Sequence, residues 1–145
     1  MRKLVAILAA ALVCLSLSGQ GRVEIRPGVD VSTDFFLPVS TTPSFGLGVS
    51  ARAGTPEQWI NLVGKLRFIY GPRLQGFQIP LMLNANLLRG DRFSGYLGAG
   101  YEFDFIGTYW GCTKYQIGLA GRHVDARLFY KPYQGDLGIG FTYYF

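Results

Sequence analysis

A chain of 145 residues with a net charge of +5 is sized for one domain. Only 16% of its residues are charged, against roughly 25% in typical soluble domains, while 49% are hydrophobic, 15% aromatic and 20 are glycine. The basic residues are dispersed, with no Lys/Arg cluster beyond the first few positions, which argues against nucleic acid as a partner.

The chain opens on the three-part pattern of a secretory signal. Arg2 and Lys3 precede an apolar run over residues 4–17, and Ser16 and Ser18 stand at the −3 and −1 positions of a cleavage. The run is about 14 residues, short of the ~20 a spanning helix needs; an uncleaved anchor is the alternative. Cys14 follows Val13, whereas a lipidated cysteine needs a small residue before it, so Cys14 is read as filling of the signal. Cleavage of residues 1–18 leaves residues 19–145 as one domain carrying +3. Its single cysteine, Cys112, allows no internal disulfide and no cysteine-rich metal site, and it falls in an expected loop.

No later stretch is long and apolar enough for a transmembrane helix, yet the chain is rich in apolar residues. Period-two alternation, the mark of a strand with two unlike faces, resolves this. It recurs eight times. In residues 23–31, Val23, Ile25, Val29 and Val31 oppose Glu24, Arg26 and Asp30. In 45–53, Phe45, Leu47, Val49 and Ala51 oppose Ser50 and Arg52. In 60–70, Leu62, Leu66, Phe68 and Tyr70 oppose Asn61, Lys65 and Arg67. In 77–87, Phe77, Ile79, Leu81 and Leu83 oppose Gln78, Met82, Asn84 and Asn86. In 93–105, Phe93, Leu97, Tyr101, Phe103 and Phe105 oppose Ser94, Glu102 and Asp104. In 114–120, Tyr115, Ile117 and Leu119 oppose Lys114 and Gln116. In 124–131, Val124, Ala126, Leu128 and Tyr130 oppose Asp125, Arg127 and Lys131. In 137–145, Leu137, Ile139, Phe141, Tyr143 and Phe145 oppose Gly138, Gly140, Thr142 and Tyr144.

Turn-forming residues separate these segments, among them Gly54-Thr55-Pro56, Gly71-Pro72, Gly90-Asp91 and Gly135-Asp136. Short connections imply antiparallel neighbours. Val63 and Phe129 break the pattern by falling on polar faces. Pro27 and Pro80 lie inside segments, where a lost ladder donor suggests a bulge or a local edge. Residues 33–43 read as the longest loop, with Asp34, Phe35 and Phe36 as contacts, and Tyr109 and Trp110 beside Cys112 as a second loop on the same side.

The expected fold is all-β: a closed, antiparallel, up-and-down transmembrane β-barrel of eight strands. Closure removes edges. A membrane barrel turns its apolar face to lipid and keeps a polar interior, whereas a soluble barrel does the reverse. The polar faces carry Arg26, Arg52, Lys65, Arg67, Lys114, Arg127 and Lys131 against Glu24, Asp30, Glu102, Asp104, Asp125 and Asp136. That near-balance suits an interior where ions pair. Aromatics favour the segment ends, as Tyr70, Phe77, Phe93, Phe105, Tyr130, Tyr143 and Phe145 do, matching the aromatic girdles of membrane barrels.

The terminal stretch Leu137-Gly138-Ile139-Gly140-Phe141-Thr142-Tyr143-Tyr144-Phe145 resembles the C-terminal signal of outer-membrane barrels. That resemblance makes Leu137, Ile139, Phe141, Tyr143 and Phe145 the assembly signal. It implies the outer membrane of a Gram-negative cell, with barrel-assembly machinery, periplasmic chaperones and outer-membrane lipid as partners. Gln78-Ile79-Pro80-Leu81-Met82-Leu83 and Gly95-Tyr96-Leu97-Gly98-Ala99-Gly100 are similar to the paired strands of the PorT-like outer-membrane β-barrel domain of Bacteroidetes.

The function expected is non-catalytic: a monomeric structural or interaction barrel with a charged, plugged interior and no large pore. Its ion-pair network would set Arg52, Lys65, Arg67 and Arg127 against Glu102 and Asp104. The pair Glu102 and Asp104 could also hold a cation or act as acid and base, but the basic residues around them favour ion pairing. Two other classes stand beside this one. A soluble periplasmic or secreted binding barrel would appear in the soluble fraction. A lipid-modifying enzyme needs a nucleophile with a base, and the one histidine, His123, falls in a turn, so no catalytic residue, cofactor or metal is assigned. A small pore is a variant of the first class.

Overall fold

The computed structural model describes residues 24–36, 43–72, 75–90, 92–105 and 111–145. The segment read as a signal lies outside them, as do Val23, Tyr109 and Trp110. Eight strands follow in order: β1 (Ile25–Phe36), β2 (Ser44–Ala53), β3 (Ile60–Tyr70), β4 (Gln75–Arg89), β5 (Phe93–Phe105), β6 (Cys112–Gly121), β7 (Val124–Lys131) and β8 (Asp136–Tyr144). Each pairs antiparallel with the next, and β8 pairs with β1, closing the barrel. Among the described residues there is no helix.

The register fixes the barrel's shape. Paired neighbours lead from Ile25 through Ala53, Leu62, Leu83, Ala99, Tyr115, Tyr130 and Leu137 back to β1 at Phe35, ten residues beyond the start (35 − 25). Eight strands with that stagger tilt by roughly 40–45° and leave an interior just wide enough for side chains to fill. Glycine makes close approach possible where long side chains cross this narrow space. At Gly140 a Cβ would run into the Arg127 guanidinium. We call the end that holds Glu24, Phe145 and the turn at His123 the near end, and the opposite one the far end.

Five details differ from the sequence expectations. β1 continues through Thr33 and Asp34 to Phe36, so these residues are strand, and Asp34 points inward at 3% exposure. A polar run of Ser32, Thr33 and Asp34 reads as loop only if the inner face is assumed to end at Asp30. Cys112 is the first residue of β6, buried, and not in a loop. Asp136 opens β8 and does not belong to the turn before it. Glu24 is exposed at the near end, so Asp34 takes its place among the interior acids. Neither proline shifts the register. Pro27 accepts the Phe145 N–H on its carbonyl at 3.0 Å. Pro80 interrupts the β3–β4 ladder, which resumes in the same register at Gln78, while its pairing with Glu102 on β5 is kept. The bulge lies instead between Asn86 and Leu88.

The two faces are unlike throughout. The outer face exposes Val49, Leu66, Leu97, Ile117, Leu128 and Ile139 along its middle, each at 47–56%. Aromatics crowd its ends: Phe45, Tyr70, Phe77, Phe105 and Tyr130 toward the far end, and Trp59, Phe93, Tyr143 and Phe145 toward the near end. Inside, apolar residues form only small islands at Val63, Ile69, Met82, Tyr96, Ala120 and Phe129.

Candidate functional site

The barrel interior is the place where chemistry-bearing side chains converge. Seven basic residues (Arg26, Arg52, Lys65, Arg67, Lys114, Arg127, Lys131) and six acidic ones (Asp30, Asp34, Glu102, Asp104, Asp125, Asp136) are buried there. They stack in three tiers because alternate residues of each strand project inward at successive heights.

The near-end tier is basic. Arg26 Nε donates to Glu24 Oε1 at 2.7 Å, and that bond holds the exposed Glu24 carboxyl below the usual glutamate range. Arg52 has no carboxylate partner among the described residues. It donates to the Gly121 and Arg122 carbonyls at 3.0 and 2.9 Å and lies 4.3 Å from the centre of the Tyr144 ring. Two backbone oxygens and a π face thus stand in for an anion. A recess of about 610 Å³ opens beside it, with Glu24, Arg26, Arg92, Arg122 and His123 in its wall. His123 Nδ1 sits 3.0 Å from the Tyr144 carbonyl oxygen, and its ring stacks on Tyr143.

The middle tier centres on Asp30, which is fully buried. One of its oxygens accepts from Lys65 at 2.6 Å and also from Arg127 and Thr142. Arg127 reaches Asp125 as well, at 3.4 Å, and Asp125 accepts from Tyr96 at 3.1 Å. Two cations and two carboxylates balance here. A layer of amides lies alongside, with Asn84 donating to Asn61 at 3.0 Å and accepting from Gln116 at 2.6 Å.

The far-end tier centres on Glu102, also fully buried. Arg67, Lys114 and Lys131 approach its two oxygens at 2.7, 2.8 and 2.7 Å. Lys131 also binds Asp34 at 2.6 Å. The Phe129 ring lies 3.8 Å from the Lys114 ammonium and 5.5 Å from the Arg67 guanidinium. That contact explains why an apolar residue faces inward at this position: the ring packs against cations.

Of the six residues expected to form one network, only Arg67 and Glu102 pair with each other. Lys65 and Arg127 meet instead on Asp30, Arg52 pairs with no carboxylate among the described residues, and Asp104 receives the Gln134 amide at 3.1 Å. Asp30, Asp34, Lys114, Asp125 and Lys131 complete the pairing. All but Asp34 stand on the inner faces that alternation marks; their partners across the barrel depend on tilt, which no single segment encodes. Leu137, Ile139, Phe141, Tyr143 and Phe145 all face outward, with β8 between β7 and β1.

Compared with known proteins, the chain matches no family model and no curated protein.

Proposed function

We propose that this protein is a non-catalytic outer-membrane β-barrel with a structural or interaction role, its interior plugged by paired charges and its outer surface in lipid. One observation carries this: the barrel is inside out relative to a water-soluble one. Thirteen charged side chains are buried, while the middle of the outer face is exposed Leu, Ile and Val. In water that arrangement has the wrong sign on both faces. Each buried ion loses several kcal/mol of solvation, and the exposed aliphatic belt gains nothing. In a bilayer the belt meets hydrocarbon and the aromatic ends meet headgroups. The signal-like pattern of residues 1–18 and the C-terminal strand support the same assignment, as does the resemblance of residues 78–83 and 95–100 to PorT-like barrels. A filled interior supports a role other than bulk transport.

Cell fractionation tests it. The protein is expected in the outer-membrane fraction, released by detergent, running faster unheated than boiled on a gel. Recovery in the soluble fraction without detergent overturns it.

A further inference from the structure

Among the described residues, the far-end tier holds more carboxylate than it can pair. Arg67, Lys114 and Lys131 face four acids there: Asp34, Glu102, Asp104 and Asp136. Asp34 and Glu102 engage all three cations at close range. Asp104, 7% exposed, has one oxygen with no hydrogen-bond donor among the described residues, and so do both oxygens of Asp136, 1% exposed. Asp136 is 3.9 Å from the Lys131 ammonium that touches Glu102 at 2.7 Å, so it points into the same space. Cys112 completes the corner at 3% exposure, and single ligand atoms of Glu102, Asp104 and Cys112 lie within 4.8 Å of one another. Buried carboxylate oxygens without a donor are disfavoured, and the Lys131 ammonium nearest Asp136 is shared with Asp34 and Glu102. Among the described residues this corner has room for one more positive charge.

We propose that this corner binds one divalent transition-metal ion of the borderline class that includes zinc, through Asp104, the Cys112 thiolate and Glu102. Charge fits. Among the described residues the tier is one positive charge short; a doubly charged ion that displaces the thiol proton adds one. The donor set fits as well, since a thiolate among carboxylates favours zinc or cadmium over magnesium or calcium. Zinc bonds of ~2.0–2.3 Å put tetrahedral ligand atoms roughly 3.3–3.8 Å apart. The three side chains therefore need to close by about an ångström. Asp136 acts from outside the ligand set, its charge offsetting the ion's. The site does not depend on the membrane assignment, because a soluble barrel with this interior would carry it too.

Cadmium is the probe, through the ultraviolet charge-transfer band of a cadmium–thiolate bond, on the full chain folded in detergent with its fold checked by gel mobility. Saturation is expected at one equivalent, with zinc displacing the band. Cys112→Ser is expected to abolish the band and Asp104→Asn to weaken binding at least tenfold, with His123→Ala unchanged. A missing band, a band that survives Cys112→Ser (Cys14 would then be its source), or wild-type affinity in Asp104→Asn overturns the site. Should Asp104→Asn fail to fold, calorimetric titration of zinc into Cys112→Ser decides: binding at least tenfold weaker than wild type supports the site, and unchanged binding overturns it.

Discussion

Asp30 shows how much one interior residue holds together. Its carboxylate joins β3 through Lys65, β7 through Arg127 and β8 through Thr142. Removing its charge strands two buried cations, and breaking a buried pair from one side costs about 3–5 kcal/mol. Asp30→Asn is therefore expected to destabilise the folded barrel by that amount in urea unfolding from lipid vesicles. Glu24→Gln removes an acid from a pair whose carboxylate side chain is 44% exposed. Solvent screens it, so little or no loss is expected. Equal effects from the two substitutions would mean that the interior pairs do not hold the barrel. The sequence marks Asp30 as inward by its place in the alternation with Val29 and Val31. It does not reveal Lys65 and Arg127 as its partners, because that needs the stagger between strands. Asp34 was hidden for a different reason. Ser32, Thr33 and Asp34 are polar on both faces, so alternation fades while the strand continues.

At the scale of an element, β4 carries two irregularities with different causes. Between Asn86 and Leu88 the register slips, and Leu87 and Leu88 both end up on the outer face. At Pro80 the register holds but the ladder to β3 has a gap opposite Lys65. A proline nitrogen has no hydrogen to donate, so the Lys65 carbonyl loses a partner. In lipid such an orphan costs more than in water, by several kcal/mol when no water can reach it. Pro80→Val restores the donor and keeps a side chain of similar size. It also frees the unfolded chain, which costs about 0.4–1 kcal/mol. The hydrogen bond is the larger effect, so a net gain of roughly 1 kcal/mol is expected, read as a higher urea midpoint in vesicles. A lower midpoint would mean that the proline serves packing in the interior. The alternation places both prolines inside strands but does not distinguish a gap from a bulge, since that depends on which neighbour the nitrogen faces.

At the scale of the whole molecule, what was legible is what repeats. Eight alternating segments joined by short turns give an up-and-down sheet, and a sheet with eight strands and no protected edge closes. The strands 60–70, 93–105 and 124–131 match the alternation at both ends. The apolar islands inside were not legible as a group. Val63 and Phe129 break the alternation, yet both are buried inside, as Ile69, Met82 and Tyr96 are, in an interior that is mixed and not uniformly polar.

Which face meets lipid is a property of the whole barrel, and one substitution reads it out by depth. Leu128 lies mid-strand on β7, between Ile117 and Ile139 on its neighbours, 49% exposed. Phe93 lies at the near end of β5. If the belt spans a bilayer, Leu128→Arg puts a guanidinium at the hydrocarbon midplane and is expected to cost about 2–4 kcal/mol, whereas Phe93→Arg near the interface loses only ~0–1 for its charge. In a water-soluble barrel both arginines would point into solvent. Leu128→Arg would then be near neutral, within about 0.5 kcal/mol, as an ordinary surface substitution is. Urea unfolding of the two variants from the same vesicles measures the difference directly. A large cost at Leu128 beside a small one at Phe93 is a depth profile that only a bilayer produces; equal small costs would put the outer face of this barrel in water.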